Sequence, residues 1–478
     1  MIRLKKRLSP FVIQCFVTAG VSLNTAGLGL VMGFVTGLLP QLRQSDSIIA
    51  IDDSSASWIA SLPGFSIVVG NFIIPNIMGA FGRRTANLCS LAVSASGWIC
   101  IVFSNSILLL YLARILQGIS MGMIATLGPV LIGEYTSPKN RGLFLMTISV
   151  SISASVFVIQ TLSSYLPWKI CALICIGIVL LAVFFVILSP ESPTFLADKE
   201  RYEECRKIFV YLRGDSENEE LEKMIAARKA LQMEIIDTDG KSIREKVTSR
   251  LYFLKKTFKK KEFYKPILIM FHVYAMAHWC GVNILSSFTT DLFEKVLGSH
   301  SGINISLMVV TVGAFRLLWN VVGMAFIKTL RRRVVLFLTI GLNIVSLLAI
   351  AAYSYGKEKN WLPFDEPIIG IILVHIHMFS IATGAIPLAF VLAGELYPME
   401  HRGLCGGISM LFFAMHLFSN VKPVIFLLNF WGIYGTYCLY AGVLMYCLTV
   451  VGLLLPETKD RTLQDIEKEF RGVKSTSC

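Results

Sequence analysis

Charge is what this 478-residue chain has least of: 16% of its residues are charged while 55% are hydrophobic, against roughly 25% charged in a soluble chain. That scarcity excludes an ordinary soluble enzyme of two or three domains. No long apolar stretch carries an Asp or Glu near its middle, and the acids read within spans, Glu134 and Glu395, stand at span ends. The sequence also lacks a Gly-x-x-x-x-Gly-Lys-Ser/Thr loop that would hold a nucleotide for pumping, and a His-Glu-x-x-His pair. Its eleven cysteines are odd in number, and most, including Cys15, Cys100, Cys171, Cys175, Cys280, Cys438 and Cys447, sit in apolar runs. They read as small buried residues, with no disulfide framework and no metal site. Neither an enzyme nor a cofactor is expected.

What the chain has is apolar length. Runs cover about 11–39, 57–80, 86–105, 107–134, 143–166, 168–188, 266–291, 302–328, 333–353, 367–396, 403–427 and 430–455, each near the ~20 residues a membrane helix needs. An even number of crossings puts both termini on one face. A net charge of +13 is a cue for nucleic-acid binding, but Lys and Arg gather in the breaks between runs. The expected partner is therefore the lipid bilayer and no nucleic acid. Their bias towards the face of the termini predicts cytoplasmic ends. The basic start Met1–Arg7 leads into a run too long for a cleavable signal.

One long polar stretch divides the runs six and six. The expected organisation is an N-terminal six-helix bundle, 1–188, a cytoplasmic linker, 189–265, a C-terminal bundle, 266–455, and a tail, 456–478. Within the linker, Asp198–Arg213 sets Ile208, Phe209 and Leu212 among charges, as short amphipathic helices under a bundle would. The halves also echo each other. Glu134, Pro138, Arg141 and Gly142 recur at the same spacing as Glu395, Pro398, Arg402 and Gly403; Arg83-Arg84 is matched by Arg332-Arg333, and Pro190-Glu191-Ser192 by Pro456-Glu457-Thr458. Parallel repeats of this kind are known from secondary transporters that bind substrate between halves.

These residues resemble the sugar porter branch of the major facilitator superfamily. The resemblance rests on Arg114-x-x-x-Gly118-x-x-x-Gly122 with Pro129 and Glu134, on Pro190-Glu-Ser-Pro193 leading to Leu212-Arg213-Gly214, and on Gly281-Val-Asn283. It continues through Gly384 and Pro387 before Glu395 to Pro456-Glu-Thr-Lys459 with Leu463 and Ile466. Within that branch the tail and Gly435-Thr436 look most like the insect facilitated trehalose transporter group. The resemblance implies an all-α membrane fold of twelve helices in two pseudo-symmetric six-helix bundles. It further implies facilitated transport of a sugar, trehalose or a hexose, across the plasma membrane by alternating access.

Two sets of residues follow from it. Arg83, Arg84, Glu134, Arg141 and Glu191 in the first half, with Arg332, Arg333, Glu395, Arg402 and Glu457 in the second, would latch the cytoplasmic side. Carboxylates at helix ends would face arginines of the opposing half in charge-assisted pairs; the plainer alternative is anchorage in lipid headgroups. Family members usually carry an acid four residues before the paired arginines, where this chain has Gly79 and Lys328, so a weaker latch is expected. A neutral polyol is best held by amides, hydroxyls and aromatic faces. Gln160, Asn283 and Phe390 fall at sugar-contacting positions, with Ser149 and His278 at further ones that depart from the family pattern. Arg316 stands where an Asn is usual. It either faces the cavity, which would favour an anion, or reaches a carbonyl or an interface. Arg114 would organise the cavity wall. The family's proton-coupled members carry an Asp in span one where this chain has Val35, so passive transport is expected. The alternatives are a non-transporting sugar sensor of the same fold, or a carrier of an organic anion through Arg316.

Overall fold

A computed structural model describes residues 9–214, 217–238, 257–290, 292–293, 304–362, 367–398, 401–459, 461 and 463–471. The side chains of 227, 230–238, 402–403 and 463–464 are outside that description, as are 239–256 of the expected linker and 472–478 of the expected tail. The described residues are nearly all helical. In chain order the helices are α1 (Pro10–Leu42), α2 (Asp53–Phe81), α3 (Arg83–Val102), α4 (Ile107–Tyr135), α5 (Pro138–Tyr165) and α6 (Trp168–Leu188). The linker helices follow, two short ones, α7 (Pro193–Asp198) and α8 (Tyr202–Arg213), and the longer α9 (Asn218–Thr238). The remainder are α10 (Lys261–Trp279), α11 (Val282–Ser287), α12 (Ile305–Thr329), α13 (Arg332–Glu358), α14 (Pro367–Ser380), α15 (Ile386–Leu396), α16 (Arg402–Val421), α17 (Val424–Phe430), α18 (Gly432–Leu454) and α19 (Leu463–Arg471).

Helix starts follow from local chemistry. The side chains of Ser9, Asp52, Ser106 and Asn304 each accept from the backbone N–H three residues on, satisfying a donor that the first turn leaves unpaired. Among the described residues eleven helical segments are long and apolar enough to cross a bilayer. Their outer faces are apolar too: Leu108, Leu180, Phe184 and Leu453 are more than half exposed, the inverse of a soluble surface and suited to lipid.

The seventh crossing in order is the exception, because it is broken. α10 ends at Trp279, Gly281 takes φ +87°, and α11 restarts at Val282. A Cβ at Gly281 would stand 2.5 Å from His377 Nε2, so glycine is required there both by backbone conformation and by the close ring. The run read from sequence as one span over 266–291 is therefore two helices meeting at an angle. The tenth crossing is interrupted differently. Between α14 and α15 lies a π-helical turn, Ile381–Ala385, with Ile386 N–H bonded to Ile381 O. Pro387 follows; it has no N–H to give and its ring crowds the carbonyl four residues back, so the turn widens.

Without a hydrophobic drive between helices in lipid, packing depends on how closely backbones approach. α1 runs against α5 through Gly29, Gly33 and Gly37, one turn apart. A side chain at these positions would overlap Ser155 and the Ile152 carbonyl, Ile159, and Ser163 respectively. The linker helices lie against the end of α4: Phe209 and Leu212 of α8 are buried, and Arg213 Nη2 donates to Glu134 O at 3.0 Å.

Replacing Gly29 with Val should separate α1 from α5, lowering the detergent melting temperature by the equivalent of about 1–3 kcal/mol or abolishing a monodisperse gel-filtration peak. Gly27→Ala on the same helix, where nothing lies within 4 Å, should leave both measurements unchanged.

Candidate functional site

Between the halves lies a cleft of about 850 Å³, counted out to its open mouth. α1, α4 and α5 supply one wall with Met32, Met121, Ser149 and Ser153; α10, α11, α12, α15 and α16 supply the other with Tyr274, His278, Asn283, Ser286, Arg316, Phe390 and Phe413. Five of the six side chains expected to contact substrate thus line one space. Asn283 donates through Nδ2 to Asn420 Oδ1 at 2.8 Å. Ser149 Oγ donates to Asn320 Oδ1 at 3.2 Å. His278 packs edge-on against Phe413, 4.5 Å between centroids. Phe390, 44% exposed, is on the lining as well.

Gln160 is the sixth, and it is not on the lining. It is buried, and its Nε2 donates to the carbonyls of Leu285 and Ser286, both at 3.2 Å, and to Thr36 Oγ1 at 3.3 Å. Thr36 Oγ1 itself donates to Ser286 O at 2.7 Å, and Ser287 Oγ to Met32 O at 3.3 Å. Gln160 therefore bolts α5 to α11 across the two halves in this conformation, with its amide spent on main-chain carbonyls. The same seam closes the cleft on the face opposite the chain ends. Further contacts complete the seal: Lys422 Nζ lies 3.8 Å over the Trp58 ring, Asn429 Nδ2 donates to Asp53 Oδ2 at 2.8 Å, and Ser57 Oγ bonds Lys422 O.

The charged clusters on the face of the chain ends correct the sequence reading in one respect: their pairs form within each half, not between halves. Arg83 Nη2 donates to Glu134 Oε1 at 3.2 Å, while Glu191 Oε1 accepts from the backbone N–H groups of Arg83 and Arg84 at 2.8 and 3.1 Å. Ser192 Oγ bonds Glu134. In the second half Arg332 Nη2 donates to Glu395 Oε1 at 2.8 Å, Glu457 Oε1 accepts from Arg332 N at 2.9 Å and Oε2 from Arg333 N at 3.2 Å, and Thr458 Oγ1 bonds Glu395 Oε2 at 2.6 Å. The reason is positional. Each arginine begins a helix, each Glu134-type acid ends the neighbouring helix, and each Glu191-type acid follows the last helix of the same half. A carboxylate there caps the open N–H groups and complements the helix dipole. Arg84 reaches Ile187 O and Arg333 reaches Gly452 O. Gly79 offers no acid, but Asp198 of α7 stands 3.6 Å from Arg83. Arg141 approaches Glu220 of α9 at 3.9 Å, and the side chain of Arg402 lies outside the described residues. Among the described residues no ion pair on this face joins one half to the other.

Arg114 is fully buried and donates to the carbonyls of Ile59 and Val31 and to Gln117 Oε1, at 2.8, 3.1 and 2.7 Å, tying α1, α2 and α4 together. Gly118-Ile-Ser-Met-Gly122 has the spacing of a nucleophile elbow. Ser120, however, sits mid-helix in α4 with its Oγ donating to Ser90 O at 3.0 Å, without the strand-to-helix turn such a nucleophile needs. The sequence reading missed Ser153, Tyr274 and Ser286 on the lining. Ser153 lies one turn from Ser149 and Tyr274 one turn from His278, so helical spacing alone could have placed both.

A family model described as "Sugar (and other) transporter" matches residues 14–470. The chain is similar to the facilitated trehalose transporter Tret1 of Apis mellifera ligustica, 25% identical over 480 residues and covering 98% of this chain and 90% of that one. The Tret1 of Bombyx mori is 23% identical, with 96% and 86% covered. Among solved structures, inward-open XylE from E. coli aligns at a TM-score of 0.74 and 15% identity, over 96% of this chain and 100% of that one. The proton:xylose symporter XylE bound to 6-bromo-6-deoxy-D-glucose gives 0.74 and 15%, over 97% and 100%. The fold is that of the major facilitators.

Burial alone would raise the Glu457 carboxyl, but the N–H groups of Lys459, Arg332, Arg333 and Thr458 outweigh it and hold the group below its ordinary value. A depressed carboxylate stabilises the fold above its unfolded pKa of about 4.3 and ceases to do so as pH falls through the folded value. Glu457→Gln should therefore melt below the wild type at pH 7, and the gap between the two melting temperatures should shrink as the pH drops below about 4. A gap independent of pH would show that the charge contributes nothing.

Proposed function

The chain belongs to the sugar (and other) transporter family, and from that premise we propose that it carries a sugar, trehalose or a hexose, passively across the plasma membrane by alternating access. Both termini face the cytoplasm in this reading. The observation that carries it is the interhalf cleft, lined from both halves by neutral hydrogen-bonding groups and aromatic rings together with Arg316, with the seam of Thr36, Gln160 and the α11 carbonyls on the face opposite the chain ends.

Substrate enters from the face of the chain ends. Sugar hydroxyls bond Asn283, Ser286 and Ser149, and the ring lies against Phe390 and Phe413. The intrahalf clamps keep each bundle rigid while the bundles rock, so the bonds that must exchange are those of the distal seam, from Thr36 and Gln160 to the carbonyls of α11. A sugar shifts that equilibrium by its different affinity for the two states. No span carries a carboxylate near its middle that would relay protons, which supports uniport.

Purified protein in liposomes should take up labelled trehalose or glucose down its gradient, unaffected by a protonophore. Asn283→Ala should cut uptake about tenfold, as loss of one well-placed hydrogen bond would, at equal protein incorporation. Abolition by the protonophore would overturn uniport, and sugar binding without uptake would make the chain a sensor.

A further inference from the structure

Arg316 of α12 is more than nine-tenths buried and lines the cleft. Its Nη1 donates to Ser286 Oγ at 2.6 Å, and among the described residues no Asp or Glu pairs with it. The other buried arginines are served differently. Arg83 and Arg213 each have a glutamate, and Arg114 has three oxygens at hydrogen-bond distance. Among the described residues Arg316 alone carries a full charge on the cleft wall, with one neutral acceptor for a guanidinium that holds five N–H donors in a planar fork.

A bare guanidinium midway through a membrane is costly, and neutral hydroxyls meet it only in part. A carboxylate fits it with two parallel bonds, shorter and stronger than neutral ones. Beside it stand groups for a sugar: Asn283 and Ser286 for hydroxyls, His278 on the same wall, and the rings of Phe390 and Phe413 for an apolar ring face. A small inorganic anion would satisfy the charge and leave those groups unused.

We propose that the preferred substrate is a sugar acid, a pyranose bearing a carboxylate that Arg316 receives while the neutral groups hold its hydroxyls. This rests on the carrier reading above and puts an acidic sugar in place of its neutral one as the preferred substrate. The full-length protein in detergent, titrated with D-glucuronate, D-glucose and chloride at matched ionic strength, should be stabilised against heat by glucuronate at roughly tenfold lower concentration than by glucose. Chloride should not reproduce the effect. Arg316→Asn should erase the preference for glucuronate, and Arg316→Lys should retain part of it. Equal or weaker response to glucuronate in the wild type, or a preference unchanged in Arg316→Asn, overturns the assignment. Uptake of the same two sugars by proteoliposomes separates it from the carrier reading. Preferential binding of glucuronate with no uptake of either sugar removes the carrier and leaves the Arg316 assignment standing; uptake of glucose with no preference for glucuronate does the reverse.

Discussion

A helix that breaks inside a bilayer must find donors for the carbonyls it exposes, because lipid supplies none. The rest of this structure depends on how that demand is met at Gly281. Its left-handed backbone ends α10, where Asn343 Nδ2 donates to the Cys280 carbonyl at 3.3 Å, and the restarted α11 ends in turn at Ser287, leaving the Leu285 and Ser286 carbonyls towards the opposite half. There Thr36 and Gln160 donate to them. The same short helix aims Asn283 and Ser286 at the cleft, and Ser286 holds Arg316. One broken crossing thus supplies the seal on one face and much of the binding surface. Its backbone bonds depend on the other half, so seal and site are mechanically one object.

The clamps on the opposite face solve a different problem. Each gathers three helix ends of one half around a carboxylate and an arginine, and the two halves repeat the arrangement almost group for group, down to the Ser192 and Thr458 hydroxyls on the glutamates. Such a knot holds a bundle together without tying it to its neighbour. Rigid halves and a labile seam are the division that rocking requires.

Much of this was legible in the sequence. Apolar length gave the crossings, and the recurrence of Glu134 and Glu395 beside paired arginines exposed the duplication before any coordinates. The lining residues Asn283, Phe390, Ser149, His278 and Arg316 could be named because the resemblance to the sugar porters sets them at substrate-contacting positions of the spans. Three things were not legible. Gln160 lies on the seam and not on the lining, and its position depends on where α11 turns. Arg83 and Arg332 find their acids at home because helix ends converge in space in a way that linear spacing does not encode. The break itself leaves no apolar gap, since Val282 to Leu285 read as a continuous span, and what makes the glycine necessary is its left-handed backbone and the ring of His377, nearly a hundred residues away.

Arg316 also ties the chain to membrane voltage. In a carrier whose seal moves from one face to the other, a fixed positive charge in the chamber crosses part of the electric field at each reorientation, and a full crossing is worth about 2.3 kcal/mol per 100 mV. On the sugar-acid reading the empty protein would sense the resting potential, whereas a bound carboxylate would cancel the charge and let the loaded form reorient without electrical work.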